Sequence, residues 1–419
     1  MQTASDVINI PKSIKSSLAL HGPFRQGVFQ AAAHPTFLSE AIPAQVRSFA
    51  SEAAYRDLAQ SLVERPWFGP MQDAGLFLPS TYDVEYAGHA PAMLREERFA
   101  SAAAERLPGV RASSRAYNAA MDSIRAQAVE VYLTDLFGSP AADLSKADPE
   151  TLRALAEFVN VSTGRGVVPV LDRFAWGRRA VSAANTVLWS PRAMASRFNV
   201  ISPYRLAKNL ANPATRPVAF LQMRDSMRAA TSIGATLSLL SLVPGVEVGL
   251  NPNKDNWGKV SIGNTHYDLL DGVPSTAKYV AQMSRAFYHR EAGPRSQRAR
   301  SREPNAFELT KDFLRWRLSP SGQVGADAVT GKTARGEPFT FGGAARDLLL
   351  PFTVEGMYDA WKDAGGSSVG DVTQGREFKT GVRGAVKGLP SAVGVPTSTY
   401  RRRGRYGETL DLSDIAEPR

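Results

Sequence analysis

Between Asn251 and Val273 the chain reads NPNKDNWGKVSIGNTHYDLLDGV, and no other stretch limits the fold as strongly. The sequence around it is polar, alanine-rich and patterned for helices, whereas this block is patterned for strands. Lys259 to Ile262 and Thr265 to Asp268 are short strand-like runs. Gly263-Asn264 between them forms a two-residue hairpin turn, because both residues tolerate positive φ. Asn251, Pro252, Asn253, Asp255 and Gly258 gather loop-forming residues around Trp257. Such a cluster can hold a cation or a phosphate, but Asx side chains more often cap their own backbone, which is the role expected of these.

A chain of 419 residues, 43% of them hydrophobic, is long enough for two or three domains and too apolar for wholesale disorder. Net charge is +10, compatible with an anionic partner without requiring one. The absence of cysteine excludes disulfides, thiolate metal sites and cysteine nucleophiles. The opening MQTASDVINIPKSIK lacks the basic-then-apolar pattern of a secretory signal. Ala229 to Val246 carries no charge and reaches the lower edge of a membrane-spanning length. It is rich in Ser, Thr and Gly and broken by Pro244, so a buried helix is expected over a conditional membrane helix.

The expected fold is mainly α: a multi-helix array with one or two small β-hairpin insertions and an extended basic C-terminal tail. Residues 1–228 form a helical domain. Residues 229–363 carry the apolar helix, the β-element and a second helical region, and 364–419 the tail. Val46, Phe49, Ala53, Leu58 and Leu62 lie near helical spacing, as do Ala116, Ala120, Ile124, Ala128 and Val131. Asp148-Pro149-Glu150 starts a helix that should stop near Thr163-Gly164. Helices are expected over Pro274 to Tyr288, Phe307 to Leu318, and Arg346 to Asp363 with a break at Pro351. Glu291 to Glu303 reads as an exposed loop, Ser321 to Phe341 as loop and hairpin, and the tail as a segment that orders on a partner.

Several motifs invite a chemistry that their context refuses. Gly331-Lys332-Thr333 lacks the phosphate-loop glycine, since Ala326 stands in its place and no buried strand precedes it. Ser275-x-x-Lys278 has a nucleophile–base spacing without companion motifs, and Ser275 is expected as a helix N-cap. The five histidines are scattered and make no helical metal pair. No catalytic, cofactor or metal site is assigned. Glu52 or Glu96-Glu97 would be the acids if the chain cut peptidoglycan, the alternative enzymatic reading.

Other residues suit contact with a partner. In Asn160-x-x-Thr163-Gly164-Arg165-Gly166 the glycines allow close backbone approach around Arg165, which either stitches two helices together or meets a phosphate, stitching being preferred. Arg165, Arg192, Arg197 and Lys259 are candidates for one basic surface. Arg401, Arg402, Arg403 and Arg405, flanked by Tyr400 and Tyr406, suit an extended chain along phosphates or an acidic groove.

The block Asp255-x-Trp257-Gly258-Lys259, with Ile262-Gly263-Asn264-Thr265-x-Tyr267-Asp268 and Gly272, resembles a signature of the large polyvalent proteins of tailed phages. It recurs in the C-terminal regions of their internal virion, or ejection, proteins. Further pieces follow the same order along the chain. They are Ile10-Pro11-Lys12-Ser13-Ile14-Lys15-Ser16-Ser17, Arg25-Gln26-Gly27, Phe49-Ala50-Ser51-Glu52 and Ser113-x-Arg115-Ala116-Tyr117. After them come the Asn160 motif, Ser190-Pro191-Arg192, and Lys311-x-Phe313 through Leu318-Ser319-Pro320. The resemblance spans roughly Ile8 to Gly365. It implies a non-enzymatic protein of the virion interior, delivered with the genome to the host envelope or cytoplasm. Its partners would be portal, tail, other ejection proteins and further copies of itself, with phage DNA and the host membrane as additional candidates. A DNA-associated protective role is the third reading. A chain without cysteine suits passage between compartments of different redox poise.

Overall fold

The computed structural model describes residues 6–18, 22–86, 99, 101–167, 180, 183–249, 256–263, 265–268, 273–291, 306–333, 338–363 and 397–399. The chain is mainly α-helical with a small antiparallel sheet. The N-terminal helices include α1 (Ile10–Ser16), α2 (Val28–Ala33), α3 (Leu38–Ala50), α4 (Glu52–Val63), α5 (Pro79–Glu85) and α6 (Pro108–Phe137). Next come α7 (Pro149–Ser162), α8 (Pro191–Val200), α9 (Pro203–Ala211) and α10 (Arg216–Ser241). Strands β1 (Val246–Val248), β2 (Val260–Ile262) and β3 (Thr265–Tyr267) precede α11 (Val273–Glu291) and α12 (Ala306–Arg315). The described chain continues through α13 (Pro320–Thr330), α14 (Phe341–Leu349) and α15 (Phe352–Asp363) to β4 (Thr397–Thr399).

Helix α6 is the centre of the body. The expected face of Ala116, Ala120, Ile124 and Ala128 is fully buried, and so are most residues on its other sides from Ser113 to Val129. Its many alanines let neighbours approach closely, and α3 packs along it. Gly27 illustrates the closeness, since an added Cβ would stand 2.8 Å from Ile124 Cδ1. The helix ends at Gly138 in the left-handed conformation, φ +78°, a conformation that glycine adopts at little cost. Asp148 caps α7 by accepting from the Glu150 N–H at 2.7 Å, and Gly164 at φ +86° follows its end, as the sequence led one to expect.

Polar groups inside this body are tied to one another. Asp122 and Arg125, both fully buried, pair at 3.2 Å. Asp122 also accepts from the Ser80 N–H at 2.8 Å, while Arg125 donates to Thr163 Oγ1 at 3.0 Å. Asp225, on α10, accepts from Tyr132 Oη at 2.5 Å, from Arg224 Nε at 3.1 Å, and lies 2.9 Å from His34 Nε2. Gln30 donates to Tyr132 Oη at 2.8 Å and to Ser162 Oγ at 2.7 Å, so one chain of hydrogen bonds joins α2, α6, α7 and α10. Burial pushes the Asp225 carboxyl up, but His34, Tyr132 and Arg224 more than offset this and hold it below the usual carboxylate value. Burial, then the Asp225 charge and hydrogen bond, raise the Tyr132 hydroxyl well above its ordinary value. Two lysines of the opening motif are also internal. Lys12 Nζ donates to the Asn185 and Leu188 carbonyls at 2.8 and 3.3 Å and to Asn185 Oδ1, and Lys15 pairs with Glu355 at 2.9 Å.

The hairpin forms with Ile262 opposite Thr265, and Gly263 turns at φ +62°. β1 adds to one edge and β4 to the other, giving the order β1-β2-β3-β4. The tail was expected to order only on a partner. Instead Thr397–Thr399 pairs with β3 along an edge whose backbone groups would otherwise be unpaired. Residues 401–405 and 292–305 lie outside the described residues.

Four other expectations are corrected. The periodic run Val46–Val63 is broken at Ser51, whose extended backbone and bond from the Ala54 N–H at 3.3 Å start a new helix. Ser321 to Phe341 is not all loop: Ser319 caps α13, accepting from the Gly322 N–H at 3.1 Å, with Pro320 in its first turn. Ser275 lies inside α11, not at its cap, and accepts from Arg317 at 2.9 Å. The apolar segment from Ala229 is helical as far as Ser241 but not buried: beyond Ala229 it leaves the body, and Leu242 is 77% exposed. Among the described residues no helix is long and apolar enough to cross a membrane.

Because the folded Asp225 carboxyl is held below its unfolded value, its contribution to stability is present above about pH 4 and is lost as pH falls through the folded value. Asp225→Asn should therefore be less stable than the parent at pH 7. Its stability should also change less between about pH 4 and 2. Urea unfolding at a series of pH values checks both, and parallel pH profiles would contradict the assignment.

Candidate interaction surface

The Asn160 motif is a junction between helices. Asn160 reads the Phe77 backbone, accepting from its N–H at 3.0 Å, and donates to the Gly75 carbonyl at 2.8 Å. Gly166 passes so close to α8 that an added Cβ would lie 2.1 Å from the Ser196 backbone nitrogen. Its N–H donates to the Arg192 carbonyl at 2.9 Å, and Arg192 returns a bond to the Gly166 carbonyl at 3.3 Å. The Arg165 guanidinium lies 3.2 Å from the Phe77 ring centroid. Arg165 and Arg192 thus meet at one seam, engaged with groups of their own chain. Arg197 is five residues further along α8, and Lys259 enters β2 from the Trp257-Gly258 turn. Arg401, Arg402, Arg403 and Arg405 lie outside the described residues.

Glu52 has a comparable internal task. Its carboxylate meets Arg56 at 2.6 Å, Arg111 at 2.9 Å and Arg115 at 3.9 Å, binding α4 to α6. Glu52 thus stands in an ion-pair cluster that joins two helices. Glu96 and Glu97 are outside the described residues. Gly331, at φ +68°, ends α13, and Lys332 forms an isolated bridge with Pro338, so Gly331-Lys332-Thr333 follows a helix and does not open one. No cluster of three or more metal-ligating side chains occurs among the described residues. Ser261 and His266 face each other across the hairpin, Oγ to Nδ1 at 2.6 Å. Burial, then Lys259, lower the His266 pKa while Glu247 opposes them. Ser261 is 2% exposed, so this pair fastens the sheet and does not present a nucleophile.

What the molecule does present is apolar surface, unevenly distributed. Among the described residues the fully buried hydrophobic side chains stop almost entirely at Ala229, with Val260, Tyr267 and Leu309 the exceptions. Beyond that point large apolar groups face outward, including Phe307, Trp316, Val329 at 89% and Phe341 at 86% exposure. Helices α9 and α14 place apolar and polar residues on opposite faces yet bury no residue fully. An amphipathic helix gains its stability by covering its apolar stripe, so these helices are left with an unmet requirement. Large exposed apolar areas of this kind mark contact sites. A second such area lies on α10, where Phe220, Met223 and Met227 recur on one outward line. Sequence reasoning missed that line although its spacing is visible, because the uncharged run after Ala229 drew the helical reading to itself.

No protein-family model matches the chain, and neither a curated protein nor a solved structure matches it.

Replacing Gly166 with Ala should force α8 away from the end of α7 and cost about 2 kcal/mol or more, since the clash is with backbone. Arg165→Ala should cost about 1 kcal/mol, the size of a partly exposed cation–π contact. Thermal unfolding of the two variants checks the order, and equal losses would contradict the seam described.

Proposed function

We propose that this chain is a non-enzymatic contact protein of a phage particle, an internal virion protein packaged and delivered with the genome. Its partners would be the portal, the tail, other ejection proteins and further copies of itself. One observation carries the contact role: the helices after Ala229 are amphipathic, yet among the described residues they cover little of their apolar surface. A catalyst needs a closed site with convergent polar groups, whereas an assembly component needs faces that close on neighbours. The phage context comes from the sequence motifs. The roles of Lys12, Asn160 and Gly166 inside the body give those motifs a physical reason to recur together. Thinly covered helices also suit passage through a narrow channel, because segments with few buried contacts open at low cost.

Quantitative mass spectrometry of nuclease-treated particles, before and after triggered genome release, tests this reading. The expected result is several copies per particle that leave on release. Retention would make the chain a fixed component of the particle, and absence from particles would overturn the proposal.

A further inference from the structure

The outward face of α10 has an order of residue sizes along its length. The helix turns Val218, Leu221, Gln222, Asp225 and Ala229 into the body. On the opposite side, Phe220 (57% exposed), Met223 and Met227 (70%) are followed by Ala230, Gly234 and Ser238. At 3.6 residues per turn these six fall within a sector about 100° wide, and the line continues to Ser241. Its first half is large and its second half small. No ionisable residue occurs from Ala229 to Val246. The neighbouring arginines are engaged within the chain, Arg224 with Asp135 at 2.6 Å and Arg228 with Asp225 at 3.7 Å. A Cβ added at Gly234 meets nothing within 4 Å, so nothing described in the chain needs that glycine, which weakens a helix interior.

We propose that this line pairs with the same line of a second copy, antiparallel, about a two-fold axis near Ala230 and Thr231. That arrangement sets Phe220 against Ser241, Met223 against Ser238 and Met227 against Gly234, each pair occurring twice. Large faces small along the whole contact, as close packing requires. Charge fits as well, because the arginine-bearing turns of one copy face the uncharged turns of the other. Lipid tails pack against large and small side chains alike, so a bilayer gives no reason for the order of sizes on this line. The contact extends about 32 Å along the helix, at the small end of specific interfaces, so pairing should be reversible and concentration-dependent. The inference rests on reading this face as a protein-contact surface. A chain found in particles but monomeric in solution would overturn the pairing and leave the wider reading standing.

The absence of cysteine gives the test. In the full chain, Ala230→Cys should cross-link to itself under mild oxidation and Phe220→Cys should not, while Phe220→Cys mixed with Ser241→Cys should form the cross-linked pair. Sedimentation velocity should show the parent moving from monomer to dimer as concentration rises. Gly234→Phe and Met227→Glu should stay monomeric with unchanged circular dichroism and melting. Self-cross-linking of Phe220→Cys, or dimers persisting in both folded variants, would overturn the proposal. So would a monomeric parent whose flotation with phosphatidylcholine vesicles is lost in Met227→Glu.

Discussion

Burial of α6 on nearly every side from Ser113 to Val129 is the constraint from which the rest of the structure follows. A helix surrounded by neighbours cannot send its polar side chains to water, so each must find its partner inside. Asp122 takes Arg125 and the Ser80 N–H, which fixes the entry of α5. Arg125 reaches Thr163 and so fixes the end of α7. Tyr132 takes Asp225 and thereby sets the rotation of α10 about its axis. Removing one member of such a pair leaves an uncompensated buried charge, at about 3–5 kcal/mol. Polar chemistry thus orients the elements, and alanine-rich packing supplies the closeness.

The rotation of α10 matters beyond the body. With Asp225 drawn inward, Phe220, Met223 and Met227 have only the outside to face. Past Ala229 the same helix carries the chain away from the core towards the sheet and the thinly covered helices that follow. The molecule therefore divides into a body that meets its own needs and a set of helices that do not. That division is the observation on which the proposed contact role rests.

Local signals in the sequence were legible where a few residues carry the whole instruction. Asp148-Pro149 started a helix, Gly263 turned a hairpin, and the glycines around Arg165 let two helices meet. What was not legible depended on distant partners. Nothing around Lys12 announces that Asn185 and Leu188 will enclose its ammonium group. The Thr397–Thr399 strand needed the edge of β3 to exist first. The run after Ala229 is apolar enough for a core, but apolarity does not say whether the covering surface lies in the same chain. Arg165 and Arg192 were grouped as one basic surface on charge alone, and the structure puts them together for a different reason, at a packed seam.

The claim that burial is divided between a closed body and uncovered helices is tested most directly by hydrogen exchange along the chain, read by mass spectrometry at a dilution where the protein is monomeric. The account predicts the slowest amides in Pro108–Phe137 and Pro149–Ser162. Ala230–Ser241, Pro203–Ala211 and Phe341–Leu349 should exchange orders of magnitude faster although they are helical. Protection of those three segments equal to that of Pro108–Phe137 in the monomer would contradict it.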